Sequence, residues 1–227
     1  MKLIVTCEHG GNTIPNSFLK YFENHKSVLN SHRAHDLGSL DLFKTLESLA
    51  NFSLFSETSR LLIELNRSLH HKSLFSEFSK NMSKIEKQDL IESYYLVYRN
   101  QVENTIRNWI ENGEVVLHIS IHSFTPVLNK LERHCDIGLL YDSKRHTEKA
   151  FCVNFKKEII GIKPELKVRY NYPYLGTADG FTTHLRRQFT SNYMGIEIEV
   201  NQKYAKNNLM ITDIKESLFL ALKETIA

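Results

Sequence analysis

The chain has 227 residues, 41% of them hydrophobic and 24% charged. That is enough apolar material for one substantial core, and too balanced a mix for wholesale disorder. A formal net charge of +3, spread without long like-charge blocks, excludes a strongly basic nucleic-acid binder.

Residues 3–7 (LIVTC) predict a strand that stops at a loop, Glu8-His9-Gly10-Gly11. From Asp36 to Ala50, Leu37, Leu40, Phe43, Leu46 and Leu49 recur at steps of three, the mark of an amphipathic helix. FSLF (52–55) and LLIEL (61–65) read as strands around a loop carrying Ser59-Arg60. Residues 68–84 mix serine, lysine and aromatics without a period, a long loop or short helices. Residues 85–111 are helical, with Ile91, Tyr94, Tyr95, Tyr98, Val102, Ile106 and Trp109 on one face, until Gly113 breaks the pattern. VVLHISIH (115–122) and DIGLLY (136–141) follow as strands, then a helix over 146–158 and a strand over 167–170. A helix over 177–188, the strand MGIEIEV (194–200) and a helix over 211–226 close the chain. Such alternation predicts one α/β domain over residues 1–227 with a largely parallel or mixed sheet.

Cys7, Cys135 and Cys152 are widely spaced and form no CxxC pair; an odd count suits free thiols in a reducing compartment. The opening MKLIVTCEHGG is too short in apolar residues for a secretory leader, and no run approaches the ~18 residues of a membrane span. The expectation is a cytoplasmic protein with no membrane or nucleic-acid partner.

In open α/β sheets ligands gather at the carboxyl ends of strands. Polar groups follow strand after strand here: Glu8-His9, Asn66-Arg67, His122-Ser123 and Asn201-Gln202. His9 and His122, each ending a strand, are either hydrogen-bonded core histidines or ligands. Two of them favour a divalent site, because neutral imidazole suits zinc and a catalytic zinc takes three protein ligands. Glu8 and Asp36 are the candidate carboxylates. Neighbours on a strand point to opposite faces, which disfavours Glu8 beside His9; the plain role of Asp36 is a helix N-cap. Asp36 is preferred. His32 and His35 are read as surface or supporting residues, His118 as a packing or supporting residue.

Arg60 and Asn66-Arg67 bracket LLIEL; a guanidinium fork with a neutral amide suits a carboxylate, and plain surface ion pairs are the alternative. Glu64 can pair with either arginine. Glu197 and Glu199 lie on one side of a β-run, where one can serve as general base beside a metal-bound water. A solvent-facing edge strand shows the same alternation. Residues 169–187 read as a substrate-contacting loop running into a helix. No GxGxxG, Walker loop, HExxH or GxSxG is present, so nucleotide, zincin and serine-hydrolase chemistry lose their main support.

In order, CEHGGNTIP, HDLGSLDL, SRLLIELNRS, ISIHSF, NYPYLGTADGFT and IEIEVNQ resemble the motifs of the N-formylglutamate amidohydrolase family, from residue 7 to about residue 202. The resemblance implies a three-layer α/β/α sandwich around a central mixed, mostly parallel sheet, similar to zinc carboxypeptidases and aspartoacylases. It implies a Zn²⁺ amidohydrolase acting on a small N-acyl amino acid such as N-formylglutamate. By position it makes His9, Asp36 and His122 the metal ligands and Glu199 the catalytic glutamate. Arg60 then polarises the scissile carbonyl, while Asn66 and Arg67 bind the substrate carboxylate. The chain departs from the family where Glu64 and Ser120 replace aspartates that are common there. A serine supplies no carboxylate to orient a ligand histidine, which implies weaker metal binding. Two rivals follow: a carboxypeptidase or deacylase acting on a peptide or cell-wall fragment, and a binding module that has lost turnover.

Overall fold

The computed structural model describes residues 1–227. β1 (Lys2–Cys7) hands over to a turn at Glu8 and His9, and a mostly irregular stretch containing α1 (Lys26–Leu29) leads to α2 (Ser39–Leu46) and β2 (Phe52–Phe55). A turn-rich segment ends at Ser83, which starts the next helix with a capping box. Its hydroxyl accepts from the Glu86 N–H while the Glu86 carboxylate takes the Ser83 N–H. α3 (Lys84–Leu90) and α4 (Val97–Glu111) then run together through a π-helical turn over Ile91–Leu96. Gly113, at φ +80°, supplies the left-handed residue that ends α4. Next come β3 (Val116–Phe124), the hairpin β4 (Val127–Leu128) and β5 (Leu131–Glu132), β6 (Ile137–Leu140), α5 (His146–Ile162) and β7 (Val168–Tyr170). α6 (Phe181–Gln188), β8 (Tyr193–Asn201), the hairpin β9 (Ala205–Lys206) and β10 (Leu209–Met210), and α7 (Thr212–Ile226) complete the chain.

Six strands form one mixed sheet in the order β2-β1-β3-β8-β6-β7, parallel throughout except where β6 meets β8. Two apolar clusters cover its faces. Leu3, Val5 and Cys7 of β1, Leu117, Ile119 and Ile121 of β3, and Ile196, Ile198 and Val200 of β8 pack with residues of α2, α5 and α7. Ile4, Val116 and Tyr193 pack on the other face with residues of α4, α6 and 61–65. The layers are therefore helix, sheet, helix, as expected for the three-layer sandwich. No helix is long and apolar enough to cross a membrane.

The second face carries an unusual load. Thr6, His118, Ser120, His122, Glu197 and Glu199 are all buried, and strand alternation puts them on the side of α4 and α6. β8 lies between β3 and β6, so its Ile-Glu-Ile-Glu alternation reflects a polar interior, and the solvent-facing edge reading is excluded. His122 does not end its strand either; β3 continues to Phe124, held by pairing with β8 as far as Asn201.

LLIEL is not a strand. Leu62 and Ile63 donate to the Ser59 carbonyl and Glu64 to that of Leu74, a turn whose side chains are buried in succession. An apolar run of five cannot distinguish a buried strand from a buried turn. The helix expected from residue 177 begins at Phe181, and the one expected from residue 36 begins at Ser39 and passes into a 3₁₀ turn over Glu47–Leu49. The two short hairpins carried no alternating signal.

Gly138 lets residues 171–176 lie against β6. A Cβ there would meet the Tyr172 carbonyl oxygen at 2.0 Å and Glu199 Cβ at 3.3 Å. Gly138→Ala is expected to cost about 1–3 kcal/mol, the usual penalty of overpacking, visible as a lower urea midpoint with unchanged slope. An unaltered midpoint would show that this close approach is not needed.

Candidate active site

His9 sits in the turn after β1, His122 near the end of β3, and Asp36 just before α2. The N-cap of α2 is Gly38, at φ +77°, and no side chain caps it, so the Asp36 carboxylate is free to point elsewhere. It points between the two imidazoles. His122 Nδ1 lies 3.0 Å and His9 Nδ1 3.3 Å from Asp36 Oδ2. One ligand atom from each of the three buried residues falls within 4.8 Å of the others.

The far nitrogen of each imidazole faces a carboxylate. His9 Nε2 meets Glu64 Oε1, and the Asn66 N–H donates to the same oxygen at 3.0 Å. His122 Nε2 lies 2.9 Å from Ser120 Oγ and 3.3 Å from Glu8 Oε2, and the Ser120 hydroxyl donates to that Glu8 oxygen. Tyr98 OH, from α4, donates to Glu8 Oε1 at 3.0 Å. The replacement of aspartate by Ser120 therefore does not deprive His122 of an anionic partner. Glu8 supplies the charge from the neighbouring strand end, with Ser120 as a bridge. Glu8 stands behind His122 and outside the space shared by the two Nδ1 atoms, which Asp36 occupies.

This donor set fits a divalent cation. Two imidazole nitrogens and a carboxylate oxygen converge, and the outer nitrogens are fixed by acceptors that orient the rings and raise their basicity.

Arg60 ties the anions together. Its Nη1 donates to Asp36 Oδ1 and its Nε to Glu64 Oε2, both at 2.9 Å. Asn66 and Arg67 are held by α4 and α6. The Phe181 N–H donates to Asn66 Oδ1 at 2.7 Å, while Tyr95 OH and Arg99 Nη1 donate to the Arg67 carbonyl at 2.7 and 3.1 Å. The buried Arg99 guanidinium also lies 4.3 Å from the Phe181 ring centroid. The sequence places Tyr95 on a helix face and singles out no role for Arg99, because a helix face gives no hint of which loop it pins.

His9, Asp36, Arg60, Asn66, Arg67, His122 and Glu199 all line one cavity of about 160 Å³. Tyr174, Asp179 and Glu197 line it as well, the first two from the segment expected to contact substrate. The exposed His32 and the buried His35 are not in its lining. His118 is fully buried between Thr6 Oγ1 (2.7 Å) and Tyr193 OH (2.8 Å), a packing role.

Burial pushes the Glu199 carboxyl up to about 8, with Asp36 and Glu197 adding to the shift and His122 opposing it. Its Oε2 is buried without any hydrogen-bond partner. Burial would also raise Glu8, Asp36 and Glu64, but the imidazoles and, for the last two, Arg60 outweigh it and hold all three well below the usual carboxylate range. Burial disfavours a charged His122, yet Asp36 and Glu8 prevail and raise it well above an ordinary histidine.

A family model for N-formylglutamate amidohydrolase matches residues 1–205. The chain belongs to the N-formylglutamate amidohydrolase family. Its class of activity is amide hydrolysis. Among solved structures, a gene product from Agrobacterium tumefaciens superposes with a TM-score of 0.79 at 22% identity, covering 100% of this chain and 92% of its own. N-formylglutamate amidohydrolase from Ralstonia eutropha JMP134 superposes with a TM-score of 0.72 at 14% identity, covering 100% and 93%. Those two likenesses establish a common fold. No curated protein matches the chain significantly.

Two outcomes follow for this member of the N-formylglutamate amidohydrolase family. In the metal-free protein the flanking Asp36 and Glu8 favour a proton on His122, and burial favours one on Glu199. A cation at Nδ1 must displace the first and, by its charge, weaken the second. Zinc titrations in buffers of different ionisation enthalpy should show release of at least one proton, with affinity falling as pH drops. A heat independent of buffer would refute this. Glu8→Gln should weaken zinc binding about 10–100-fold, the usual cost of losing a carboxylate behind a ligand histidine; unchanged affinity would leave Glu8 as packing only.

Proposed function

We propose that the chain is a metal-dependent amidohydrolase that cleaves the amide of a small N-acyl amino acid, N-formylglutamate being the family's reference compound. The observation that carries this reading is the convergence of His9 Nδ1, His122 Nδ1 and Asp36 Oδ2 in the cavity that Glu199 also lines. A divalent cation held by those three residues, zinc being the metal this donor set suits, would supply an acidified water and a Lewis-acid contact for the carbonyl oxygen.

Water adds to the acyl carbon and the C–N bond breaks, leaving a carboxylic acid, formate for a formyl group, and a free amine. Glu199 takes the water proton on its carboxylate and delivers it to the departing nitrogen. A base with its pKa near neutrality serves both transfers, and burial brings Glu199 up to about 8, close to that range. Arg60 spends part of its five-donor fork on Asp36 and Glu64, and the N–H groups left over support the developing oxyanion. Arg67 and the Asn66 amide grip the substrate carboxylate.

A cavity of about 160 Å³ is smaller than the ~300–1,000 Å³ of drug-sized sites. That favours an amino-acid-sized substrate over a peptide or cell-wall fragment. The binding-module reading rested on Ser120, and the Glu8–Ser120–His122 arrangement removes its main support. The same proposal places the protein in the cytoplasm, where the three free cysteines stay reduced.

Formate release from N-formyl amino acids, N-formylglutamate among them, should require added Zn²⁺ after chelation. Glu199→Gln should lower kcat by about 10²–10⁴-fold with metal content intact; activity that survives it contradicts the assigned base. Arg67→Ala should raise KM about tenfold or more, the loss of one charge-assisted hydrogen bond, with a smaller effect on kcat. An unaltered KM would move the carboxylate contact elsewhere.

A further inference from the structure

One part of the cavity lining is left unused by this chemistry. Glu197 precedes Glu199 by two residues on the same face of β8 and lines the same cavity. It is 9% exposed, and Thr182 Oγ1 donates to its Oε1 at 2.6 Å. Its Oε2 makes no hydrogen bond within the protein, and no basic side chain forms an ion pair with it. It also lies close to the proposed carboxylate grip. A Cβ on Gly180 would stand 3.3 Å from Glu197 Oε1 and 3.4 Å from Asn66 Oδ1.

None of the basic groups of the lining pairs with it. Arg60 is engaged by Asp36 and Glu64, His122 faces Asp36 and Glu8, and Arg67 is the remaining arginine. A carboxylate that lines the cavity with no protein cation paired to it is a ready partner for a positively charged ligand group. A second carboxylate on the ligand would instead meet like charge. N-formylglutamate carries two carboxylates, and Arg67 is placed to take one. Tyr174, Leu175 and Ala178 add apolar lining against which a methylene stem can lie.

We infer that Glu197 determines specificity, and that the cavity selects an Nα-acyl amino acid with a cationic side chain, of the lysine or arginine class, over an acidic one. This rests on the amidohydrolase reading. The α-carboxylate goes to Arg67 and the cationic end to Glu197.

The test uses the zinc-loaded full chain with N-formyl-L-lysine, N-formyl-L-glutamine and N-formyl-L-glutamate, in wild type and Glu197→Gln. Wild type should favour the lysine compound over the glutamate compound at least tenfold in kcat/KM. Glu197→Gln should shrink that ratio at least tenfold, with the glutamine compound as the neutral reference within each preparation. Because each ratio is taken within one preparation, partial misfolding does not alter it. Calorimetric binding of the three compounds to Glu199→Gln and to the Glu197→Gln/Glu199→Gln double variant reads the same preference without turnover. Binding selectivity for the lysine compound, lost in the double variant, supports the assignment even if no compound is hydrolysed, an outcome that sinks only the amidohydrolase reading. A wild-type preference for glutamate, or a selectivity that Glu197→Gln leaves unmoved, overturns it.

Discussion

The constraint on which the rest depends is electrostatic. Three carboxylates, Glu8, Asp36 and Glu64, are buried around two imidazoles, and Arg60 is the guanidinium that ion-pairs with this group. Isolated buried charges cost several kcal/mol each, so the arrangement persists because each oxygen has a donor. In the metal-free protein Asp36 and Glu8 favour a charged His122, which offsets part of the negative charge. His122 Nδ1 and His9 Nδ1 both face Asp36 Oδ2. On the proposed reading, a dication held there would complete the neutralisation. Orientation of the rings and the expected proton cost of binding a metal both follow from that one balance.

The sheet register delivers the groups. β3 and β8 run parallel with His122 opposite Glu199 and Ser120 opposite Glu197. Because side chains alternate, a slip of either strand by one residue would turn its two polar side chains to the apolar face of α2, α5 and α7. That penalty locks the register: the polar set is tolerated only where its partners from β1, α4 and the 60–67 segment meet it. Structure and chemistry are thus tied through the same nine-residue pairing.

Much of this was legible in the sequence, and the gaps have physical causes. Alternating strands and helices gave the layers, and the histidines at the end of LIVTC and in HISIH were visible as a pair. Position of the chain in space was not visible. LLIEL read as a strand because hydrophobic burial looks the same in a turn packed on all sides. The alternation at Glu197 and Glu199 fits an edge strand as well as a polar interior, and only the place of β8 inside the sheet decides between them. Ser120 reads as a loss because it has no carboxylate of its own, whereas Glu8 provides one across a strand boundary, 112 residues away in sequence. Such long-range substitution leaves no local pattern.

Zinc-soaked crystals measured on both sides of the metal's absorption edge would test the central claim most directly. The account predicts one anomalous peak about 2.0–2.2 Å from His9 Nδ1, His122 Nδ1 and an Asp36 oxygen, the usual range for imidazole and carboxylate ligands. A map without density among those three atoms, or with the ion on only one of the histidines, would contradict it.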